Sequence, residues 1–397
     1  MPPRITRVRW QAENLPWGIG FNENTGTFSG TPYDAGDYII PVRVDTNYGW
    51  DKKNVTFRVL GKTGTVYVKG KGSSNASDWS NGAAEDSDGF RKINMPKASK
   101  LVPLNDGFAA RTAGSIWYVV GDHDTENNKY YGLPGFSASD SPQQFPVSNV
   151  TSMAGGVTSG STAYFAYLTS DNVGYFQKSS NQSSSTTATP KNNVIKLHSG
   201  FISGSCYLMS DSTIYIDGYN SSLSITAPVR AEQIKTIIYT GMPNQTVSAD
   251  NLFYLTQSGD LYQGTDKISF NGGFIRDIYG FPNNTKAFFV TTEDCRLYAR
   301  GSNLSYALGF STTTTRQSLE LVGAYDVKKI VGSIADGSLL LTSDGRLLHT
   351  GTYINSSITG ITRTIGTKHQ GFVQVFPNKK FLDIAVVGGT IIAIIEE

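Results

Sequence analysis

Apolar residues in this chain come in short runs punctuated by Gly, Asp, Ser and Asn, rather than at a sustained helical spacing. Three stretches share one design: "LTSDGRLLHTG" (Leu341–Gly351), "LTQSGDLYQG" (Leu255–Gly264) and "VTTEDCRLYARG" (Val290–Gly301). Each reads as an apolar or Thr-rich strand, a tight turn on Asp, Ser or Gly, and a second strand carrying an aromatic or Leu. Gly, Asp and Ser reach the turn dihedrals at low cost, so the pattern predicts a β-hairpin. Aligned on the second strand, it occurs seven times: "GTVYVKG" (Gly64–Gly70), "GSIWYVVG" (Gly114–Gly121), "DNVGYFQK" (Asp171–Lys178), "STIYIDG" (Ser212–Gly218), "GDLYQG" (Gly259–Gly264), "CRLYARG" (Cys295–Gly301) and "GRLLHTG" (Gly345–Gly351). The mean spacing, roughly 47 residues, is that of propeller blades. An earlier strand precedes most copies, as in "NVIKLHSG", "IRDIYG" and "VKKIVG".

The two ends of the repeat region are complementary. "FLDIAVVGGTIIAIIEE" supplies early strands and then stops, whereas "GKTGTVYVKG" has no preceding strands of its own. Joined, they make one unit, which would close a ring and leave no sheet edge unpaired. The expectation is an all-β chain, with a seven-bladed β-propeller over residues 62–397 closed by pairing of its N- and C-terminal strands. The competing architecture, an open solenoid, has no use for complementary half-repeats. The abundance of Gly, Ser, Thr, Asn and Tyr agrees with an all-β reading.

The repeats resemble those of the regulator-of-chromosome-condensation propeller family, whose unit runs through an "LTxDGxLYxxG" hairpin to Gly-x-Asn and a Leu-Gly pair. The fullest copy is "LYARGSNLSYALG" (Leu297–Gly309), with Gly301, Asn303, Leu308 and Gly309 in place. "YVVGDHDTENNKYYGLPG" (Tyr118–Gly135) keeps Gly121, Gly132 and Leu133 around an insertion, and the other repeats keep only the hairpin. The resemblance implies the fold. It does not carry over nucleotide exchange on a small GTPase, because no matching acidic interaction loop is present.

Residues 1–61 read differently. "DYIIPVRVD" and "NVTFRVL" alternate apolar and polar residues as half-buried strands do. Leu15, Pro16 and Gly18, then Thr25, Gly26, Gly30, Thr31 and Pro32, then Ala35, Gly36 and Tyr38 resemble the immunoglobulin-like module of bacterial surface and phage structural proteins. A short Ig-like β-sandwich is therefore expected, acting as an anchor. Only about fourteen residues precede Leu15, so two arrangements stand: an exposed edge that docks another chain by strand addition, or a compact covered domain.

Charge and chemistry narrow the function classes. Charged residues are 17% of the chain and the net charge is +2, which lacks the cationic footprint of a nucleic-acid binder. No run approaches the length needed to cross a bilayer, and the opening "MPPRITRVRW" has no apolar core, so neither membrane insertion nor a secretory signal is expected. Cys206 and Cys295 give no metal spacing and are expected to be free thiols; the four histidines are scattered. "GKTGT" (Gly61–Thr65) shares the end of a phosphate loop but lacks its upstream Gly, and a strand follows it. No cofactor is expected.

Two features remain as candidate sites. Asp122, Asp124, Glu126 and Asn128 alternate oxygen-bearing side chains that could hold Ca²⁺, without the Gly and Glu of an EF-hand; the other reading is a solvated acidic loop. "AAEDSDGF" (Ala83–Phe90) is a weaker version of the same pattern. Trp79, Tyr130, Tyr131 and Phe136 lie in long polar insertions and would suit a protein or sugar surface, unless they pack back on their own blades. The expected function is a non-enzymatic structural protein of a tailed phage virion, assembled in the host cytoplasm. Its partners would be other virion proteins, joined by strand addition at the N-terminal module, and a host-surface glycan or protein. The alternatives are a bacterial surface adhesin or lectin, and a cytoplasmic propeller that binds proteins.

Overall fold

The computed structural model describes residues 8–12, 15, 19–30, 32, 36–59, 61–70, 80, 83–104, 107–121, 139–157, 163–179, 188–198, 205–217, 222–241, 246–280, 287–333, 337–352, 368–387 and 390–397. The chain divides into two compact units, Met1–Lys62 and Thr63–Glu397.

In the first unit Val8–Ala12, Gly36–Thr46 and Gly49–Val59 form an antiparallel sheet with Gly36–Thr46 in the middle. Ile19–Asn22 and Thr27–Gly30 form a separate hairpin. Phe28 joins the two, its ring 4.8 Å from Phe21 and 6.0 Å from Phe57. Gly26 turns at φ +68° directly against the Trp10 ring, where a Cβ would lie 2.9 Å from an indole carbon. Among the described residues one strand, Val8–Ala12, precedes Leu15. Gly49–Val59 is an edge strand among the described residues, bearing exposed Trp50 and Val55 beside Asp51, Lys52 and Lys53.

The second unit contains seven four-stranded antiparallel sheets among the described residues. Sheet 1 is Ala98–Pro103, Gly107–Thr112, Trp117–Gly121 and Ser139–Gln144. Sheet 2 is Val150–Val157, Ala163–Thr169, Gly174–Ser179 and Thr189–Lys191. Sheet 3 is Val194–His198, Ser205–Met209, Thr213–Asp217 and Ser222–Thr226. Sheet 4 is Ile234–Tyr239, Leu252–Thr256, Leu261–Gln263 and Asp266–Ile268. Sheet 5 is Ile275–Gly280, Phe288–Thr292, Arg296–Gly301 and Arg316–Ala324. Sheet 6 is Val327–Ser333, Gly337–Thr342, Leu347–Thr352 and Lys368–Val375. Sheet 7 combines both ends of the unit: Phe381–Val387 and Thr390–Ile395 continue into Thr65–Lys69 and Arg91–Lys92. The seven hairpin segments found in the sequence supply the third strand of each sheet.

The hairpin phrase has a side-chain cause. In the turns after Thr256, Thr292 and Thr342, the threonine hydroxyl accepts the N–H of the residue four places on and donates to that residue's carbonyl. The intervening turn needs one left-handed residue, filled by Gly259, Cys295 and Gly345, and by Ser115, Asn172 and Ser212 in sheets 1 to 3. This explains why Asp, Ser, Asn and Gly recur there.

The sheets bury both faces, so their second strands are continuous apolar runs rather than alternating ones. Gly337–Thr342 is buried at every position, with Leu339 and Leu341 packed toward sheet 7 and Leu340 toward sheet 5. Each apolar cluster is shared by two neighbouring sheets. Val102, Trp117 and Met153 belong to the cluster of sheets 1 and 2; Ala166, Leu168 and Leu197 join 2 and 3; Ile214, Ile237 and Tyr254 join 3 and 4. Phe253 and Phe288 join 4 and 5 with ring centroids 4.4 Å apart, and Val66, Phe108 and Ile394 join sheet 7 back to sheet 1. The first strands contact one another in the same order, and Phe381–Val387 meets Ala98–Pro103. Gly64 sits at this seam. Its N–H donates to Ala98 O at 2.9 Å, and a methyl group at that position would collide with the Ile395 carbonyl.

Candidate functional site

The side chains singled out from sequence, Asp122, Asp124, Glu126 and Asn128 with Trp79, Tyr130, Tyr131 and Phe136, lie outside the described residues. The weaker acidic stretch, Ala83–Phe90, is described and is already occupied by a cation from the chain. Lys379 Nζ lies 2.7 Å from Asp86 Oδ2 and 3.4 Å from Asp88 Oδ2. Asp86 Oδ1 also accepts the N–H groups of Asp88 and Phe90, each at 2.9 Å. Burial works against the Asp86 charge, but Lys379 and the two N–H groups outweigh it and hold its carboxyl below the usual range. Among the described residues no group of three or more His, Cys, Asp or Glu could hold a metal ion, and no helix is long and apolar enough to cross a membrane. Cys206 and Cys295 are free, Cys206 buried inside a strand and Cys295 in a turn.

What the structure does bring together is a belt of polar residues on the inner strands. All seven first strands carry an irregularity at the same place. Pairing skips one residue between Ala98 and Lys100, Val150 and Ser152, Val194 and Lys196, Ile234 and Thr236, Ile275 and Asp277, Val327 and Lys329, and Phe381 and Asp383. Such a bulge takes one residue out of the ladder, and its carbonyl needs a donor from elsewhere.

In sheets 4, 5 and 7 a lysine of the preceding sheet supplies that donor. Lys196 of sheet 3 reaches Ile234 O at 3.1 Å and the bulge carbonyl of Lys235 in sheet 4. Lys235 reaches the bulge carbonyl of Arg276 in sheet 5. Arg276 bonds Val327 O at 2.5 Å and Asp326 at 2.9 Å, while Lys328 reaches the bulge carbonyl of Leu382 in sheet 7 at 2.8 Å. Asp383, 7% exposed, ties three sheets together: it accepts Lys329 Nζ from sheet 6 at 2.8 Å, Leu101 N from sheet 1 at 2.6 Å and its neighbour Ile384 N at 2.8 Å. Thr236 donates to Asp277 at 2.9 Å.

The electrostatics follow from this crowding. Lys196 is half-buried to solvent yet densely surrounded. Burial pushes its pKa down to about 8; Asp277 opposes the shift and Lys235 reinforces it. Burial also lowers His198, on the same strand and opposite Cys206, to about 4, so it is neutral at pH 7. Arg276 moves the other way, because Asp326 outweighs the cost of its burial. A separate cleft of about 560 Å³ beside sheets 4 and 5 is walled by Phe270, Phe274 and the Asp260–Lys267 ion pair.

Sequence reading missed the belt, although its signal is present. "SKLV", "IKLH", "KTII", "RDIY", "KKIV" and "LDIA" each place a polar residue where a simple apolar strand would have none. The one full copy of the Asn motif is described and has a structural role. Asn303 is fully buried, accepts Leu308 N at 2.7 Å and donates to Phe310 O at 3.3 Å and to Thr312 O. Gly301 and Gly309 turn at φ +108° and +81° on either side of it.

No protein-family model matches the chain, and no curated protein matches it. Solved structures do. Human WBSCR16 aligns with a TM-score of 0.61 and 11% identity over 85% of this chain and 100% of that one. Yeast RCC1 (Prp20), in its structure with Kap60, aligns with a TM-score of 0.59 and 11% identity over 85% of this chain and 90% of that one. At that identity the likeness establishes fold alone: an all-β chain with an RCC1-like β-propeller.

Proposed function

We propose that this chain is a non-enzymatic interaction protein, a seven-bladed β-propeller that binds protein partners and carries a small Ig-like β-module at its N-terminus. One observation carries the reading: each of seven four-stranded sheets packs on the next, and sheet 7, built from both ends of the unit, packs on sheet 1. A ring so closed has few free sheet edges and presents its connections as a rigid surface. The yeast RCC1 neighbour, of the same fold, is bound to Kap60, which supports a protein partner here by analogy of fold. The test is affinity capture of the tagged chain with cross-linking mass spectrometry. A stoichiometric protein partner, cross-linked to residues 63–397, is expected; a chain recovered alone, turning over a small-molecule substrate, would contradict the proposal.

The second reading, a virion structural protein with the first unit as anchor, rests on the Leu15 to Tyr38 motif and on the edge strand Gly49–Val59, which leaves one side open to strand addition. Deleting residues 1–60 would abolish incorporation into particles under this reading. It would leave partner capture intact under the first.

A further inference from the structure

The cleft beside sheets 4 and 5 is framed by a departure from the turn pattern of the neighbouring sheets. In sheets 2, 3, 5 and 6 the second place after the residue that opens the turn is an aspartate: Asp171, Asp211, Asp294 and Asp344. In sheets 5 and 6 that aspartate pairs with an arginine two places on, Asp294 with Arg296 at 2.9 Å and Asp344 with Arg346 at 2.8 Å, so the pair closes on its own turn. Sheet 4 has Ser258 and Asp260 at these two places. Ser258 Oγ takes over the contact to the threonine, 2.9 Å from Thr256 Oγ1. The Asp260 carboxylate turns instead to Lys267 on the fourth strand, at 2.8 Å. This bond holds the Asp260 carboxyl below its usual range and the Lys267 ammonium above its own, so both are charged at pH 7.

The connection to sheet 5, residues 269–274, reads "SFNGGF" and supplies two rings. Phe270 stands edge-to-face with Tyr298, ring centroids 5.0 Å apart at 87°. A Cβ at Gly259 would lie 3.0, 3.0 and 3.1 Å from three consecutive carbons of the Phe274 ring, so that ring lies over the backbone of the turn rather than edge-on to it. Phe274 nevertheless remains 39% exposed. An exposed phenyl ring, a charge pair that cancels and the hydroxyl-bearing Ser258 and Ser269 thus line one opening of about 560 Å³. Clefts of ~300–1,000 Å³ that combine aromatic walls with a few polar groups are the usual form of a small-molecule site.

We propose that this cleft binds a neutral saccharide, with a pyranose ring against Phe274 and its neighbouring hydroxyls spanning Asp260 and Lys267. The inference goes beyond the protein-binding reading above, and either can fail without the other. An ionic ligand gains little here, because an anion or a cation must displace one member of the ion pair. A hydroxyl need not: it donates to the carboxylate or accepts from the ammonium, which has three donors and keeps its bond to Asp260. A pyranose joins such hydroxyls to a face of C–H bonds, whose slight positive charge suits the negative face of a phenyl ring.

The test uses the full-length chain and saturation-transfer difference NMR with the methyl glycosides of glucose, galactose and mannose, with N-acetylglucosamine, and with maltose, cellobiose and lactose. Transfer to at least one of these sugars is expected, strongest at its ring C–H protons, and titration gives the affinity. Phe274→Ala should weaken that binding about tenfold, and Lys267→Met should weaken it as well. Ser269→Trp, at an exposed position on the cleft wall, fills the space while leaving both rings and the ion pair in place, and it should abolish binding. This second route keeps the proposal testable if Phe274→Ala lowers the melting temperature. Transfer to none of these sugars overturns the proposal, as does transfer that all three variants leave unchanged. N-acetyltryptophanamide, standing for an aromatic side chain of a protein, is the competing probe. If it binds more tightly than every sugar and Ser269→Trp blocks it, the cleft is a side-chain pocket and the proposal falls.

Discussion

Replacing Asp383 should be the most damaging single change in the belt, because its carboxylate joins sheets 6, 7 and 1. In Asp383→Ala, the Leu101 N–H loses its 2.6 Å acceptor while Leu101 itself is 1% exposed. Leaving a buried donor unpaired costs about 1–3 kcal/mol. Lys329, whose side chain is 27% exposed, loses its carboxylate and keeps only the Leu101 carbonyl at 3.3 Å. Stranding one member of a largely buried pair costs up to about 3–5 kcal/mol, discounted here because Lys329 retains some water. The sum is about 3–5 kcal/mol, a large share of the stability of an ordinary domain. Asp383→Asn keeps an acceptor for Leu101 but turns its NH2 toward Lys329 Nζ and the Ile384 N–H, both donors, so an intermediate loss of about 2–3 kcal/mol is expected. Urea unfolding followed by tryptophan fluorescence reads both values. A double-mutant cycle with Lys329→Met should show a coupling of about 1–2 kcal/mol. An Asp383→Ala variant within 1 kcal/mol of the parent would refute the claim that this carboxylate holds the three sheets together.

Asn303→Ala should cost about 2–4 kcal/mol, since it leaves Leu308 N and the carbonyls of Phe310 and Thr312 without their partner; Asn303→Asp should be at least as damaging, because a carboxylate would face two carbonyls. His198 gives a pH signature. Its folded pKa, about 4, lies below the ordinary 6.5, so the unfolded chain binds the extra proton between those values, and up to about 3 kcal/mol of stability is lost as pH falls from 6.5 through 4. His198→Gln should flatten that part of a stability–pH curve measured by urea unfolding. Gly345→Val should cost about 1–3 kcal/mol in the same assay, because Gly345 turns at φ +90° and its Cβ would lie 2.7 Å from Lys380 Cγ and 3.0 Å from Phe381 O.

The third strands were legible because their turns need a special residue. A threonine, a polar or glycine residue in the left-handed region and an aromatic or Leu three or so places on make a phrase that survives variation in everything around it. The shared sheet of Phe381–Ile395 and Thr65–Lys69 was legible for a different reason: the two ends have complementary deficits. The bulges were not legible. A bulge is a relation between two strands, and in sheets 4, 5 and 7 the lysine that satisfies it belongs to the neighbouring sheet, 39, 41 and 54 residues away. The candidate site suffered most. Aromatics and alternating carboxylates in long insertions drew the sequence reading, whereas Lys196 and Lys328, charges inside apolar strands, drew none. In Ala83–Phe90 the acidic pattern was visible, but nothing in it reveals that Lys379, almost three hundred residues on, supplies the cation.

The account depends most on the joining of the two ends of the second unit, and a cross-strand disulfide measures it directly. Tyr67 and Ala393 are register partners in sheet 7, so their Cα atoms lie within the range a disulfide can span. In a chain with Tyr67→Cys and Ala393→Cys, oxidation should give a faster-migrating monomer on a non-reducing gel and raise unfolding stability by about 5 kcal/mol, the entropy of closing so long a loop. Two thiols that stay free under oxidation, in a chain that remains folded, would mean that the last strand pairs elsewhere and that the ring is not closed by its ends.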